Sequence, residues 1–600
     1  MNKFLTKLTA LLLGTVSVFS FAGCGTEPLP DDPDDPNGNQ PVVVDSGKTQ
    51  LYVGLVPSGY GNSWLRKEFQ RFEAEYADYE FEPGTDKRGV QCILDDISYG
   101  NTIAQSLPAA RYKIVMTQDV NYNDLVSRNL IYNLNDILNA EFTDTDETGA
   151  ATVSTIKGKF LSEEAVQNYT INGGIYAIPF VCGEDGISYD RDLFLEKGFF
   201  FLANDPANDD YHAYYELDGS GKKIYTLGGR TGSGEVLSMG RDGIPGTYDD
   251  GLPATYEQFY YLMNELIDNN ITPITWSGKY LNEYGRRLLY TVWANNEGYE
   301  QMRLNYTFNG TAKTLIDIDS AGNITERSDT VITNDNGYLL THQRGKYDAL
   351  DFFDNMLEIL KKDSKGYNLA TKDSIDHLNA QDNFLRSVVR AENQSSQYKR
   401  IAMFHDGAYW ENEATSTFNA MGAGYGKKDR HIGWMPIPHP SVEGAGKTVF
   451  FGASTGMIMV NANIAETPEL LDVVTKFLQF MNTRKSLVEF MQMTSMTRCM
   501  DFTMTEEEKA EMSYFGQCLY EKFKSSDIFD PMSNNPVYLR NYVTLSGGHS
   551  IVWSTAGEDL DGTDAPTVIL CDKDIDAKIY FRGMQNFFTQ AWWNKNVLGR

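Results

Sequence analysis

The 600-residue sequence predicts an α/β protein of two or more lobes built on mostly parallel sheets. Three observations carry that expectation. Gln50–Val56 alternates as a strand, enters the glycine-rich loop Pro57–Asn62, and continues into a helix with Leu65, Phe69, Phe72 and Tyr76 on one face. The same order returns at Tyr112–Thr117, followed by a helix through Leu125 and Val126. The chain is also too long for one compact core of usual size.

The N-terminus sets the compartment. Lys3 and Lys7 precede an apolar run from Leu8 to Ala22, and Phe21-Ala22-Gly23 puts small residues directly before Cys24. This is a secretory leader, too short and wrongly flanked for a spanning helix. Residues 26–46 are rich in Pro, Asp and Asn, which makes an extended, self-repelling tether. A formal charge of −30, more negative once Lys3 and Lys7 are removed, argues against nucleic acid and against direct adhesion to anionic lipid. Beyond Cys24, the cysteines Cys92, Cys182, Cys499, Cys518 and Cys571 are odd in number and form no C-x-x-C pair, so neither a disulfide framework nor a structural zinc site is expected.

The first loop is not a phosphate loop. It lacks Gly-Lys-Ser/Thr, and Tyr60 and Trp64 at its helix junction suit a sugar ring or a peptide instead. Ser63 is read as the cap of the helix that follows. Gly173–Phe194 is the central stretch. An apolar run, Ile175–Val181, is interrupted by Pro179; then come the polar knot Gly183-Glu184-Asp185-Gly186, a second short strand Ile187–Tyr189, and Asp190 as an N-cap. Residues 199–253 read as an insertion of turns. Asp242, Asp249, Asp250 and Glu257 match the later half of a calcium loop. The first ligand positions would be Gly246 and Tyr248, so a turn-rich structural loop is the stronger reading. Residues 299–333 are polar and suggest a hairpin. Arg400–Phe404 ends in His405-Asp406-Gly407-Ala408-Tyr409-Trp410. Thr467-Pro468 is expected to start a helix filled by Leu470, Leu471, Val474, Phe477, Leu478 and Met481.

Five segments, in order, resemble the extracellular sugar-binding lipoproteins of ABC importers, the maltose-binding-like group. They are the lipobox at Cys24, LYVGLVPSGYGNSWLRKEFQRFEAEY, YKIVMTQDVNYNDLVSRNLIYNL, GGIYAIPFVCGEDGISYDRDLFLEKG, and RIAMFHDGAYW with the downstream IGWMPIP and FFGASTGMIMVNANIAETPELLDVVTKFLQFMNT. The resemblance implies a two-lobed periplasmic-binding-protein-like fold whose discontinuous lobes are joined by a multi-strand hinge. It places a signal peptide at 1–23, a tether at 24–47, one lobe at 48–180 and about 452–510, and the other at about 181–451 and 511–600, with insertions at 199–253 and 299–340. Gly183 and Gly186 would free the backbone at the hinge.

The same resemblance implies a sugar or oligosaccharide in the cleft and no cofactor beyond a calcium ion, if the 242–257 loop holds one. It also implies lipidation of Cys24 on the extracellular face of the bacterial cytoplasmic membrane, and a monomer that delivers to permease subunits. Carboxylates and amides take sugar hydroxyls, and aromatic faces cover C–H patches. The candidates are Tyr60, Trp64, Gln118, Asp119, Glu184, Asp185, Trp276, Asp406, Tyr409 and Trp410, with Tyr409 or Trp410 at the family's stacking position. Thr117-Gln118-Asp119 stands where the family often has a large residue, which changes that subsite. Competing readings are a glycan-binding adhesin or sensor and a glycosidase using Glu184 or Asp185 with Asp406. Adjacent carboxylates cannot flank a bond at the required separation, and no G-x-S-x-G occurs, so a non-enzyme is expected.

Overall fold

The computed structural model describes residues 43–97, 103–118, 120–229, 234–371, 374–393, 397–442, 446–546, 556–557, 560–561, 566–572 and 575–600. The leader, Cys24, most of the tether and Asp119 lie outside the described residues. Among the described residues, no helix is long and apolar enough to cross a membrane.

The first lobe begins with β1 (Thr49–Leu55), α1 (Ser63–Glu75), β2 (Val90–Asp96) and β3 (Ile114–Gln118). Both β2 and β3 run parallel to β1, so the chain must cross over between them, as it does through α1 between β1 and β2. Leu65, Phe69 and Phe72 are buried on α1 in the predicted spacing, joined by Trp64, whereas Tyr76 is the C-cap and only half-buried. The helix opens at Asn62 rather than at Ser63, without a side-chain cap.

The chain then enters β4 (Ile178–Asp190), a thirteen-residue strand shared by two sheets. The second lobe contributes α2 (Tyr256–Asp268), β5 (Thr272–Thr275), α3 (Leu281–Glu297), α4 (Arg344–Leu360), α5 (His377–Asn393), β6 (Ile401–Gly407) and β7 (Ile432–Met435). The return strand is β8 (Val449–Val460), followed by α6 (Leu471–Met481), α7 (Arg484–Thr494), α8 (Tyr514–Ser525) and β9 (Asp527–Phe529). Strand order is β5-β6-β4-β8-β3-β1-β2, with β7 on β4 and β9 on β8. The first half of β4 pairs with β8, and its second half pairs with β6 and β7, which makes β4 the bridge between the lobes. The architecture is thus the two-lobed α/β class that the sequence led us to expect.

The polar knot is not a break. β4 runs through Gly183-Glu184-Asp185-Gly186 because partners flank it on both halves, and neither glycine takes a positive φ. Pro179 faces Met457 beside a register shift between Thr455 and Met457, where a missing N–H is tolerated. Gly186 is required by packing rather than by conformational freedom, since a Cβ there would lie 2.2 Å from Cζ2 of Trp434. Asp190 is the N-cap expected of it, accepting from Leu193 N. Thr467 is not a side-chain cap; a 3₁₀ turn at Pro468–Leu470 precedes α6.

The insertion at 199–253 is more ordered than turns alone. Ala203–Asp205 pairs with Asp210–Ala213, and Tyr215–Leu217 pairs with Lys223–Tyr225, over the buried Phe200 and Phe201. Further on, Tyr299–Thr307 is a helix that buries Met302, Leu304 and Tyr306, and the hairpin starts after it, Gly310–Ile318 with Ile324–Ile332.

Candidate functional site

The carboxyl ends of β5 and β6 and the middle of β4 meet at one place. Asp185 lies opposite Gly407 in the β4–β6 register, and Thr275 lies opposite Phe404 in the β5–β6 register. This brings Asp185, Asp406 and Trp276 to the same end of the second lobe's sheet, where open α/β sheets receive ligands.

Asp185 is completely buried, and neither carboxylate oxygen has a hydrogen-bond partner; the nearest cation is Nη1 of Arg287 on α3, at 3.7 Å. Burial pushes its pKa up to about 6, with Arg287 opposing the rise and Glu184 adding to it. Arg287 Nη1 donates to Tyr409 Oη at 2.7 Å. Asp406 Oδ1 accepts from Gly407 N at 2.7 Å. Gln381 Nε2, from α5, reaches Asp406 Oδ2 at 3.4 Å and Glu413 Oε2 at 2.9 Å. Burial, and then the Glu413 charge, hold the Asp406 carboxyl well above the usual range. Beside it, both ring nitrogens of His405 face backbone carbonyls, Gly186 O and Tyr284 O, each at 2.8 Å, while burial pushes its pKa down to about 4. The result is a buried, acid-rich floor with the Arg287 guanidinium set into it.

The first lobe closes on this floor. Asn412 Nδ2 donates to Gly59 O at 2.8 Å, and a Cβ on Gly59 would come within 2.7 Å of Glu413 Oε1. Next to this contact, Glu411 Oε2 accepts from Ser495 and Ser513 hydroxyls at 2.7 and 2.9 Å. The glycine-rich first loop therefore serves as the contact surface of its lobe.

The sequence-predicted residues separate into two sets. Asp185, Asp406 and Tyr409 come together in the floor, and Trp276 follows the neighbouring strand. Trp276 is fully buried against Phe353, with an indole N–H that finds no acceptor. Trp410 is a core residue: its indole N–H donates to Ser188 Oγ, and its ring sits among Phe384, Phe404 and Phe515. Of the adjacent pair, Tyr409 is therefore the ring left partly open. Tyr60 and Trp64 pack on Phe180 inside the first lobe, and their polar atoms return to Val56 O and Gly61 O. Gln118 ends β3 opposite Gly456, half-buried. Glu184 forms a buried ion pair with Lys522 of α8, so its carboxylate is spent on structure.

Arg287, Gln381 and Glu413 were not anticipated. The sequence signals none of them, because each is a polar residue on an amphipathic segment and only tertiary packing turns it inward.

The calcium candidates are not gathered. Asp249 accepts from Arg241 N and Asp242 N and from Thr247 Oγ1, Asp250 from Gly246 N, and Asp242 from Ile244 N. Glu257 instead pairs with Lys223 at 2.8 Å. Among the described residues, no group of three or more His, Cys, Asp or Glu is placed to hold a metal ion. The carboxylates tie the loop to itself, which is the turn-rich structural role.

No family model matches the chain, and no curated protein matches it either. Solved structures similar to it include a probable secreted solute-binding lipoprotein from Streptomyces coelicolor, at 13% identity and TM-score 0.48, covering 90% of this chain and 99% of that one. A cyclic alpha-maltosyl-1,6-maltose binding protein from Arthrobacter globiformis is similar at 10% identity and TM-score 0.46, covering 90% and 100%. Apo RafE from Streptococcus pneumoniae is similar at 11% identity and TM-score 0.46, covering 91% and 100%. At these identities and TM-scores, the likenesses say nothing about a ligand of this chain.

Proposed function

We propose that the chain is the solute-binding component of an ABC importer. It captures a sugar or oligosaccharide between its lobes, is held to the extracellular face of the membrane by lipid on Cys24, and hands its cargo to permease subunits. One observation carries the reading: Asp185, a fully buried carboxylate without a hydrogen bond, at the middle of the strand that joins the lobes. An unsatisfied buried acceptor is costly, and it is relieved when a ligand brings a donor. Sugar hydroxyls are such donors. Asp406, Gln381 and Glu413 extend the polar floor, and the half-open ring of Tyr409 supplies a face for sugar C–H groups.

The first lobe meets this floor at Gly59, so a ligand seated between them would bias the open–closed equilibrium by touching both walls. The hydrolase alternative loses one of its acids, because the Glu184 carboxylate is already held by Lys522.

Isothermal titration of the mature chain against a panel of mono- and oligosaccharides tests the proposal. Binding by at least one sugar is expected, weakened roughly tenfold or more by Asp185→Asn and by Tyr409→Ala, as for truncation of a buried anchor. If no sugar or other small solute produces heat or a melting shift, the import reading fails.

A further inference from the structure

The insertion carries a cavity that the interlobe site does not use. It has a volume of about 750 Å³ and is built from the short ribbons at 203–225, the first turn of α2, and the Pro440–Val442 loop. That lies inside the roughly 300–1,000 Å³ range of small-molecule sites. None of its lining residues comes from the first lobe or from the acidic floor.

Its chemistry is specific. The Tyr215 and Tyr225 rings meet at 5.6 Å and 60°, which forms an aromatic corner. Tyr225 is buried, whereas Tyr215 is 43% exposed at the rim and leaves part of its ring open to a ligand. Glu257 stands at the corner. Its Oε2 accepts from Lys223 Nζ at 2.8 Å and from Tyr225 Oη at 3.2 Å, and Lys223 Nζ in turn lies 4.9 Å from the Tyr215 ring centre. Asp210 on the opposite ribbon is held by Asn204 Nδ2 at 2.5 Å and by His212 N at 3.1 Å. These carboxylates are oriented by donors and are neutralised in part by Lys223, so the cavity presents fixed acceptors with little net charge. A third tyrosine, Tyr211, lines the wall.

We propose that this cavity is an ancillary glycan-binding site. It would take a stretch of a neutral polysaccharide, with Tyr215 and Tyr211 against sugar C–H faces and Glu257 and Asp210 accepting from hydroxyls. Fixed acceptors and ring faces suit an uncharged, hydroxyl-rich ligand; a strongly anionic one would meet two carboxylates. Tyr215 and Val442, 43% and 41% exposed, stand at its solvent-facing mouth, which leaves a chain longer than the cavity free to run on into solvent. The site would hold the protein against a polymer independently of lobe closure, and it does not rest on the interlobe reading.

Native electrophoresis of the mature chain through gels cast with soluble starch, xylan, galactomannan or mixed-linkage β-glucan tests it. Retardation by at least one polysaccharide is expected. Tyr211→Ala with Tyr215→Ala, and separately Val442→Trp, which narrows the mouth, should each weaken it roughly tenfold at an unchanged melting temperature. Asp185→Asn should leave it intact. The proposal is overturned by an absence of retardation in every gel. It is equally overturned by retardation that survives both cavity changes, or that is lost in Asp185→Asn.

Discussion

The floor between the lobes and the cavity in the insertion are both polar, yet they are built in opposite ways. In the floor, polar groups come from residues far apart in sequence and are buried or nearly so: Asp185, Arg287, Gln381, Asp406 and Glu413. In the insertion, the partners lie within a few to a few tens of residues, Asn204 with Asp210 and Lys223 with Glu257, and they stand close to solvent. Long-range burial makes a site that is expensive to leave empty and sensitive to small changes. Local pairing makes one that tolerates change and contributes little to stability.

The largest expected effect tests that contrast at the end of the bridging strand. Asp190 Oδ2 accepts from Arg400 and Arg430 at 2.5 and 3.0 Å, and its Oδ1 caps the next helix. Asp190→Ala removes the buried carboxylate that both guanidinium groups share, leaving Arg400 with Glu196 at 3.4 Å and Arg430 with Asp192 at 3.7 Å, and should cost up to about 3–5 kcal/mol in urea unfolding. Tyr215→Ala in the insertion should stay within about 0.5 kcal/mol. Equal losses would dissolve the distinction.

Next in size is Gly186→Ala. Its new Cβ meets the buried Trp434 ring, and the overpacking should cost about 1–3 kcal/mol. Gly219→Ala in the insertion, with nothing within 4 Å, should unfold at the same urea concentration as the parent. A neutral Gly186→Ala would restore the reading of that glycine as a hinge.

A pH series sharpens the contrast further. The folded pKa of Asp185, about 6, lies above its ordinary value of 3.8, so the folded chain keeps a proton that the unfolded chain releases between those values. Its contribution is most favourable below pH 3.8 and is lost as pH rises through 6. Asp185→Asn is neutral at every pH. The melting temperature of the variant relative to the parent should therefore rise from pH 4 to pH 7 and then level off. A difference that is flat across that window would show that Asp185 is not the buried acid described here.

The smallest effect concerns the 242–250 loop. Its carboxylates are engaged by backbone N–H groups, so adding calcium or chelator should leave the melting curve in place. A calcium-dependent rise would mean that the loop opens to a metal and would turn the insertion into a ligand-stabilised unit.

Much of the frame was legible along the chain. The buried stripe of α1, the β1 and β3 strands, Asp190 as a cap and the bridging role of the Ile175–Tyr189 region all follow from periodicity, capping chemistry or the resemblance. The site was legible in part. Asp185, Asp406 and Tyr409 came from their position at strand ends, but Tyr60, Trp64 and Trp410 carry the same signal and are packed inside. An aromatic ring beside a glycine-rich loop looks the same in sequence whether it faces a ligand or a neighbouring phenylalanine.

The sequence by itself determined the alternation of strands and helices, the acidic surface and the segments that carry the family resemblance. These depend on side-chain period and composition within short windows. Only the tertiary structure decided that Glu184 belongs to Lys522, 338 positions away, while its neighbour Asp185 stands beside Arg287 without a hydrogen bond. Successive residues on a strand point to opposite faces, and what waits on each face is set by distant parts of the chain. That is why two adjacent acids, indistinguishable in the sequence, end as one structural ion pair and one candidate ligand-binding carboxylate.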